Sequence, residues 1–248
     1  LYTVTGTDAN GCSNSGAVTV TNNPLPAISA GSDQSICIGG SVQLQATGGV
    51  TYSWSPSAGL SCTSCANPTA SPAVTTTYTV TGIDANGCVN TSQVIVTVNP
   101  LPTIDAGATQ IICNGTSAQL QASGASSYVW SPATDLSCST CPNPLASPST
   151  TTTYTVTGTD NNGCVSTGQV TVTVNPLPVV SPGNNQNICI GTSAQLSGTG
   201  AATYTWSPAN DLSCTTCANP VATPSTTTTY TLTGTDVNGC SDTAQVTV

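Results

Sequence analysis

The chain is built on a strict repeat. Tyr2, Tyr78, Tyr154 and Tyr230 stand 76 residues apart, and Trp54, Trp130 and Trp206 keep the same spacing. The cysteines fall into four columns: Cys37, Cys113, Cys189; Cys62, Cys138, Cys214; Cys65, Cys141, Cys217; and Cys12, Cys88, Cys164, Cys240. No insertion or deletion interrupts the period. A fold compatible with this pattern is an array of like units. The segment Asn-Pro-Leu-Pro recurs at 23–26, 99–102 and 175–178 and marks the boundaries. Two prolines in four residues favour an extended, semi-rigid connection, so the units are expected to form a stiff rod. The expected organisation is a C-terminal part of a preceding repeat at 1–22, aligning with 77–98, and full repeats at 23–98, 99–174 and 175–248.

Within a repeat the apolar period is two. Val42, Leu44 and Ala46 alternate with polar residues, as do Val94, Val96, Val98 and the pair Tyr78, Val80 among threonines. Val, Thr and Tyr suit strands, and Gly, Pro and Asn clusters separate them. Asn86-Gly87, Asn162-Gly163 and Asn238-Gly239 are hairpin signals between such runs. No segment of useful length has a 3.6 period. The predicted fold is all-β, each unit a small β-sandwich. At 76 residues a unit is near the lower limit for a self-sufficient core, so covalent staples are expected.

Composition removes whole classes of function. Among 248 residues there are nine Asp and no Glu, Lys, Arg or His, for a net charge of −9. With no imidazole, amine or guanidinium, most acid–base and nucleophilic catalysis lacks its parts, and the chain reads as a non-enzyme. Nucleic acid is excluded as a partner because no cation can meet its phosphates. An anionic membrane surface is excluded on the same ground. No stretch approaches the roughly 20 apolar residues of a membrane span, so insertion is not expected. Thirteen cysteines point to an oxidising setting, extracellular or at the cell surface. The opening Leu1-Tyr2-Thr3-Val4-Thr5 reads as a strand already under way, without a signal peptide, as in a processed or partial piece of a longer secreted protein.

The strings NPLP, AGSDQSIC, SVQLQATGG, TYSWSP, LSCTSCANP and TTTYTVTGIDANGC together resemble the PKD-like, immunoglobulin-like tandem repeats of large secreted surface proteins of Bacteroidetes-type bacteria. The resemblance covers the whole chain. It implies disulfide-stapled immunoglobulin-like sandwiches, non-enzymatic, used as extracellular stalks and adhesin modules within longer chains.

Four cysteines per repeat allow three pairings. The preferred set is Cys62–Cys65, Cys138–Cys141 and Cys214–Cys217 as short staples, with Cys37–Cys88, Cys113–Cys164 and Cys189–Cys240 as long ones. The resemblance supports that partition, since related repeats lose the CxxC pair together and keep the other two. An alternative stays open. In an immunoglobulin-like path, Cys37 and the F–G turn of its own repeat lie at opposite ends of the sandwich. Bridges between repeats, Cys37–Cys164 and Cys113–Cys240, would follow from that geometry. Zinc is disfavoured because a four-cysteine site uses two CxxC knuckles and each repeat has one. A thioredoxin-like role needs CxxC to open a helix. No metal and no cofactor is expected.

Other residues have bland and functional readings. Asp84, Asp160 and Asp236 precede the Asn-Gly-Cys turns, where an Asx-turn is favoured over a Ca²⁺ ligand. Asp33, matched by Thr109 and Asn185, reads as an isolated exposed acid. Trp54, Trp130 and Trp206 read as strand-C core residues rather than carbohydrate platforms. The runs Thr75–Thr77, Thr150–Thr153 and Thr226–Thr229 could accept O-glycans, and Asn90 and Asn114 stand in N-glycan sequons. Strand edges carry Thr, Ser, Asn and Gln but no Lys to guard against edge-to-edge pairing. From this, a segment of an extracellular filament or sheath that self-associates into fibres is expected. Its neighbours would be further repeats of the same longer chain, with glycans as a candidate partner. The alternative is a monomeric adhesin stalk that spaces a binding domain outside this stretch.

Overall fold

The structure, a computed structural model, describes all residues from Leu1 to Val248. It is all-β, with nineteen strands and no helix. No helix is therefore long and apolar enough to cross a membrane. The chain divides into two compact units. One comprises Leu1–Leu101 with Asn162–Cys164, the other Pro102–Asn161 with Val165–Val248.

The first unit opens with a hairpin of β1 (Tyr2–Thr7) and β2 (Ser13–Val18), exposed along its whole length. The strands β3 (Gln34–Cys37), β4 (Val42–Gln43), β5 (Thr51–Ser55), β6 (Thr69–Ala70), β7 (Thr76–Ile83) and β8 (Val89–Asn99) follow. They form a four-stranded sheet of order β3-β8-β7-β5 and a small facing sheet of β4 and β6. Strand β3 runs parallel to β8, with Gln34 opposite Val96 and Cys37 opposite Asn99. The remaining neighbours are antiparallel. Leu44, Ala46 and Ala70 from one layer and Trp54, Tyr78, Val80, Val94 and Val96 from the other make one buried cluster. This is the inward half of the period-2 pattern. Tyr78 and Val80 are fully buried, whereas Tyr2 and Val4, 76 residues earlier, are 66% and 73% exposed. Sequence periodicity places these residues on strands, but only a facing layer buries them.

The second unit holds β9 (Gln110–Cys113), β10 (Ala118–Gln119), β11 (Ser127–Ser131), β12 (Leu145–Ala146), β13 (Thr152–Thr159), β14 (Val165–Asn175), β15 (Ala194–Gln195), β16 (Thr203–Ser207), β17 (Val221–Ala222), β18 (Thr229–Thr235) and β19 (Ser241–Thr247). Two further sandwiches result. One sets β11-β13-β14-β9 against β10-β12, and the other sets β16-β18-β19 against β15-β17. Each has its own cluster, around Trp130, Tyr154 and Val156 and around Trp206, Tyr230 and Leu232. The chain is thus a tandem array of small disulfide-stapled β-sandwiches. The parallel pairing of the first strand with the last and a buried Trp on the edge strand of the larger sheet are immunoglobulin-like traits.

One predicted strand is shorter than its pattern. The alternation Val42, Leu44, Ala46 gives a ladder of only two residues in β4. Leu44 N–H donates to Pro68 O, but Pro68 has no N–H to return the bond, so regular pairing ends there.

The turn at Gly124 tolerates no side chain. Its φ is +96°, and an added Cβ would run into the Thr103 carbonyl, as it would at Gly48 against Ala27 and at Gly200 against Val179. We expect Gly124→Ala to cost roughly 2–4 kcal/mol, from left-handed backbone strain plus overpacking against a main-chain atom. Chemical denaturation of the variant beside the parent checks this, and an unchanged midpoint would contradict it.

Candidate functional site

The chemistry-bearing residues of this chain are its cysteines, and two kinds of staple use them. The short staples are Cys62–Cys65, Cys138–Cys141 and Cys214–Cys217. Each closes a loop laid against the edge strand that carries the Trp. Trp54 N–H donates to Thr63 O at 2.7 Å and its indole Nε1 to Cys65 O at 3.0 Å. Trp130 meets Ser139 O and Cys141 O in the same way, and Trp206 meets Thr215 O and Cys217 O. Trp54, Trp130 and Trp206 are buried, so none of them offers a face to a sugar. The loops also change the expectation for the edges. On the β5 side an outward N–H is capped by the CxxC loop, which does part of the work that an edge lysine does elsewhere.

The long staples join residues of different repeats. Cys37 is bonded to Cys164 and Cys113 to Cys240, each with Cα atoms 5.5 Å apart and a sequence separation of 127. This corrects the preferred pairing of Cys37 with Cys88, Cys113 with Cys164 and Cys189 with Cys240. The reason lies in strand register. Cys37 sits opposite Asn99, the last residue of β8, while Cys88 directly precedes Val89, the first. Eleven strand residues rise about 35 Å, and a disulfide needs Cα atoms within about 7 Å. The open alternative, bridges between repeats, is the pairing the structure contains. Cys12, Cys88 and Cys189 carry free thiols.

Both halves of a long staple have a constructed setting. The hairpin half is an Asx-turn. Asp236 Oδ1 accepts from Asn238 N–H and Cys240 N–H, both at 2.8 Å, and Gly239 adopts a φ of +82°. Asp84 holds Cys88 identically, and Asp8 holds Cys12. The carboxylates at these turns are therefore committed to main-chain N–H groups, as an Asx-turn requires. The other half is a strand end followed by a tight turn. Thr116 N–H and Oγ1 both donate to Cys113 O, and Thr192 repeats this on Cys189 O. Cys164 and Cys240 are fully buried.

A further residue role escaped the sequence reading. Asp33 is exposed, yet its Oδ1 accepts from Ile95 N–H at 2.8 Å and so ties the start of β3 to β8. Asn185 Oδ1 does the same for Thr247 N–H at 2.9 Å. Asp and Asn share this acceptor, which is the signal that their alignment carried; Thr109 lacks it.

Three buried phenols are the groups with displaced ionisation. Burial raises Tyr78, Tyr154 and Tyr230 above their usual value of 10.0, with Asp135 adding to the rise at Tyr154 and Asp211 at Tyr230, while a Thr76 hydrogen bond partly offsets it at Tyr78. A raised folded-state value means the folded chain holds these protons longer than the unfolded chain. Their contribution is fully present below pH 10 and is lost as pH rises through the folded values. Melting temperature, measured on thiol-blocked protein, should stay level approaching pH 10 from below and fall above it. A curve that rises above pH 10 would contradict the assignment.

No protein-family model matches the chain, and no curated protein matches it in sequence. Solved structures do. A three-domain immunoglobulin fragment of titin, I67–I69 in an E-to-A variant, is 12% identical with a TM-score of 0.45, over 89% of this chain and 96% of that one. A calcium-stabilised adhesin of an ice-binding Antarctic bacterium is 13% identical with a TM-score of 0.42, over 99% and 79%. The eight N-terminal immunoglobulin domains of Down syndrome cell adhesion molecule are 16% identical with a TM-score of 0.40, over 89% of this chain and 36% of that one. The fold assignment rests on the sheets, registers and cores described above, to which these chains are similar.

Proposed function

We propose that this chain is a non-enzymatic structural segment of an extracellular filament or sheath. The observation that carries the reading is the pair of disulfides at a separation of 127, Cys37–Cys164 and Cys113–Cys240, which sew successive repeats together. A stalk whose units only need spacing gains little from such bonds, whereas a load-bearing element gains a covalent path independent of each fold. Residues 23–98, 99–174 and 175–248 are the units of this reading, with 1–22 as the tail of a preceding one. The resemblance to repeats of secreted bacterial surface proteins and the cysteine load support an oxidising location outside the cell. Uniformly negative faces without a single cation keep specific ion pairing out of any packing, leaving hydrogen-bonding Thr, Ser and Asn surfaces and the exposed threonine runs to meet copies of the chain or glycans.

A monomeric adhesin stalk is the second reading. The capped Trp-bearing edge favours it, since one route to lateral strand pairing is partly closed there. Electron microscopy of native, non-reduced material at increasing concentration separates the two. Continuous fibres with an axial repeat of one or a few units support the filament. Single particles at every concentration would overturn it in favour of the stalk.

A further inference from the structure

Five Asn-Gly pairs occur in the chain, at Asn10, Asn86, Asn114, Asn162 and Asn238. Such a pair is chemically special. Glycine has no side chain to shield its main-chain nitrogen, which is able to attack the side-chain amide carbon of the asparagine before it. Whether it does so in a folded protein depends on what already holds the glycine N–H. Four of the five pairs stand in the sequence Asp-x-Asn-Gly-Cys, and the turns at Asp8, Asp84 and Asp236 share one hold. Gly11, Gly87 and Gly239 N–H donate to Asp8, Asp84 and Asp236 O at 3.1, 3.1 and 3.2 Å. Asn10, Asn86 and Asn238 N–H donate to Oδ1 of the same aspartates. In these turns the nucleophile is tied to a carbonyl, and a carboxylate stands beside the negative charge it must develop.

Asn114 breaks this pattern. It takes the place of Ile38 and Ile190 in the other repeats, directly after Cys113, and no Asp is nearer in sequence than Asp105. Asn114, Gly115 and Thr116 are all exposed. The turn is closed by bonds on either side of the pair. Asn114 N–H donates to Asn175 O at 2.9 Å, and Thr116 N–H and Oγ1 donate to Cys113 O at 3.0 and 2.7 Å. Gly115, with a φ of +86°, suits the third position of a type II turn. Asn114 O and Gly115 N–H, the two ends of the peptide between them, bond to nothing in the protein. That peptide is free to flip while the closing bonds stay made, which brings the glycine nitrogen round to the side chain. The Asn114 carboxamide is free as well. Asn90, by contrast, commits its carboxamide to Pro26 O and Thr91 N–H, both at 2.9 Å.

We propose that Asn114 is a site of spontaneous modification in the folded protein, converting through a cyclic imide to aspartate and isoaspartate. The Gly115 nitrogen gives its proton to solvent and attacks Asn114 Cγ. A C–N bond forms, the Cγ–Nδ2 bond breaks, and ammonia leaves with a proton from water. Water then opens the ring. Cleavage at Cγ yields aspartate, and cleavage at the main-chain carbonyl yields isoaspartate, whose main chain runs through Cβ. The balance is one water consumed and one ammonia released, with no change of oxidation state. Each conversion takes the net charge from −9 to −10. An isoaspartyl link also lengthens the turn after Cys113, so the Thr116 bonds to Cys113 O are the first to loosen. That turn carries one half of the Cys113–Cys240 staple. The chemistry is the same in a filament or in a stalk.

The full chain, with its disulfides intact and its free thiols alkylated, is held at mildly alkaline pH and sampled over weeks. Each sample is reduced and cut before aspartate, since the chain contains no lysine or arginine for trypsin. Fragments 105–134, 84–104 and 236–241 report Asn114, Asn86 and Asn238 separately. Conversion in 105–134 should run about tenfold faster than in the other two, the rate equivalent of one main-chain hydrogen bond. Aspartate at 114 shows as a new cut that releases 114–134, and isoaspartate as an uncut fragment of the same acidic mass. In guanidinium the three rates should draw together. Asn114→Gln should remove the product from 105–134 and leave the other two fragments unchanged. Equal rates in the folded chain would overturn the proposal. The same ordering in guanidinium would sink it too, because local sequence and not the turn would then set the order. So would an Asn114 that is isolated already bearing a glycan, since its nitrogen could not leave as ammonia.

Discussion

Replacing both partners of one long staple, Cys113→Ser with Cys240→Ser, is expected to destabilise the protein by about 5 kcal/mol, the chain-entropy value for a loop of 127 residues. The paired change at a short staple, Cys138→Ser with Cys141→Ser, should cost only about 2 kcal/mol by the same relation. Cys240 is fully buried, so a single Cys113→Ser leaves a thiol within the fold, and the double variant is the cleaner test. Guanidinium titration of both variants against the parent reads the difference. Had Cys113 been bonded to Cys164, the long staple would close a far smaller loop, and the gap between the two variants would shrink. Equal losses from the two variants would show that the long bond constrains little of the unfolded chain.

Truncating the central tryptophan, Trp130→Ala, should remove about 3–5 kcal/mol from its own sandwich. Trp130 is 2% exposed and touches the cluster around Tyr154 and Val156, so alanine leaves a cavity lined by residues from both layers. It also strands Cys141 O, which loses the indole Nε1 at 3.0 Å. For a small sandwich whose stability is a few kcal/mol, that loss makes it the first to unfold, at low denaturant, while the other two persist. Far-UV circular dichroism in guanidinium should then show two transitions, the earlier carrying about a third of the signal, as expected for near-independent repeats. Trp130→Phe keeps most of the apolar volume and forfeits the hydrogen bond, so its cost should be smaller, about 1–3 kcal/mol. A single unshifted transition for Trp130→Ala would mean that the CxxC loop, and not the indole, holds the edge strand.

Much of the architecture follows from alternation and spacing. Tyr78, Val80, Val94 and Val96 face inward because their period is two, and the Asp84-Ala85-Asn86-Gly87 turn closes their hairpin through its own side chain. The disulfide partner of Cys37 was harder to read. Pairing depends on which end of β8 the residue reaches, and that is set by the parallel register of Gln34–Cys37 with Val96–Asn99. A hydrophobic pattern gives the face of a strand but says nothing about the neighbour it lies beside. The same limit hid Asp33, whose role is fixed by its nearness to Ile95 across 62 positions of chain. Pro68, in contrast, was visible in the sequence but had no assigned partner, so the early end of β4 could not be foreseen.

The two long staples overlap, because Cys113 lies inside the loop closed by Cys37–Cys164 and Cys164 lies inside the loop closed by Cys113–Cys240. Traced through its bonds, the shortest route from Cys37 to Cys240 jumps to Cys164, runs backward to Cys113 and jumps again. It holds about 50 residues where the backbone between the same points holds about 200, and at about 3.5 Å each the taut lengths differ roughly fourfold. Pulled from its ends, the oxidised chain runs out of slack early and loads the Cys113–Cys164 segment in reverse. A single protease cut between Cys37 and Cys113 leaves the two pieces tethered through Cys164. The repeats behave as links of a mesh whose give is set by redox state, whatever becomes of any one sandwich.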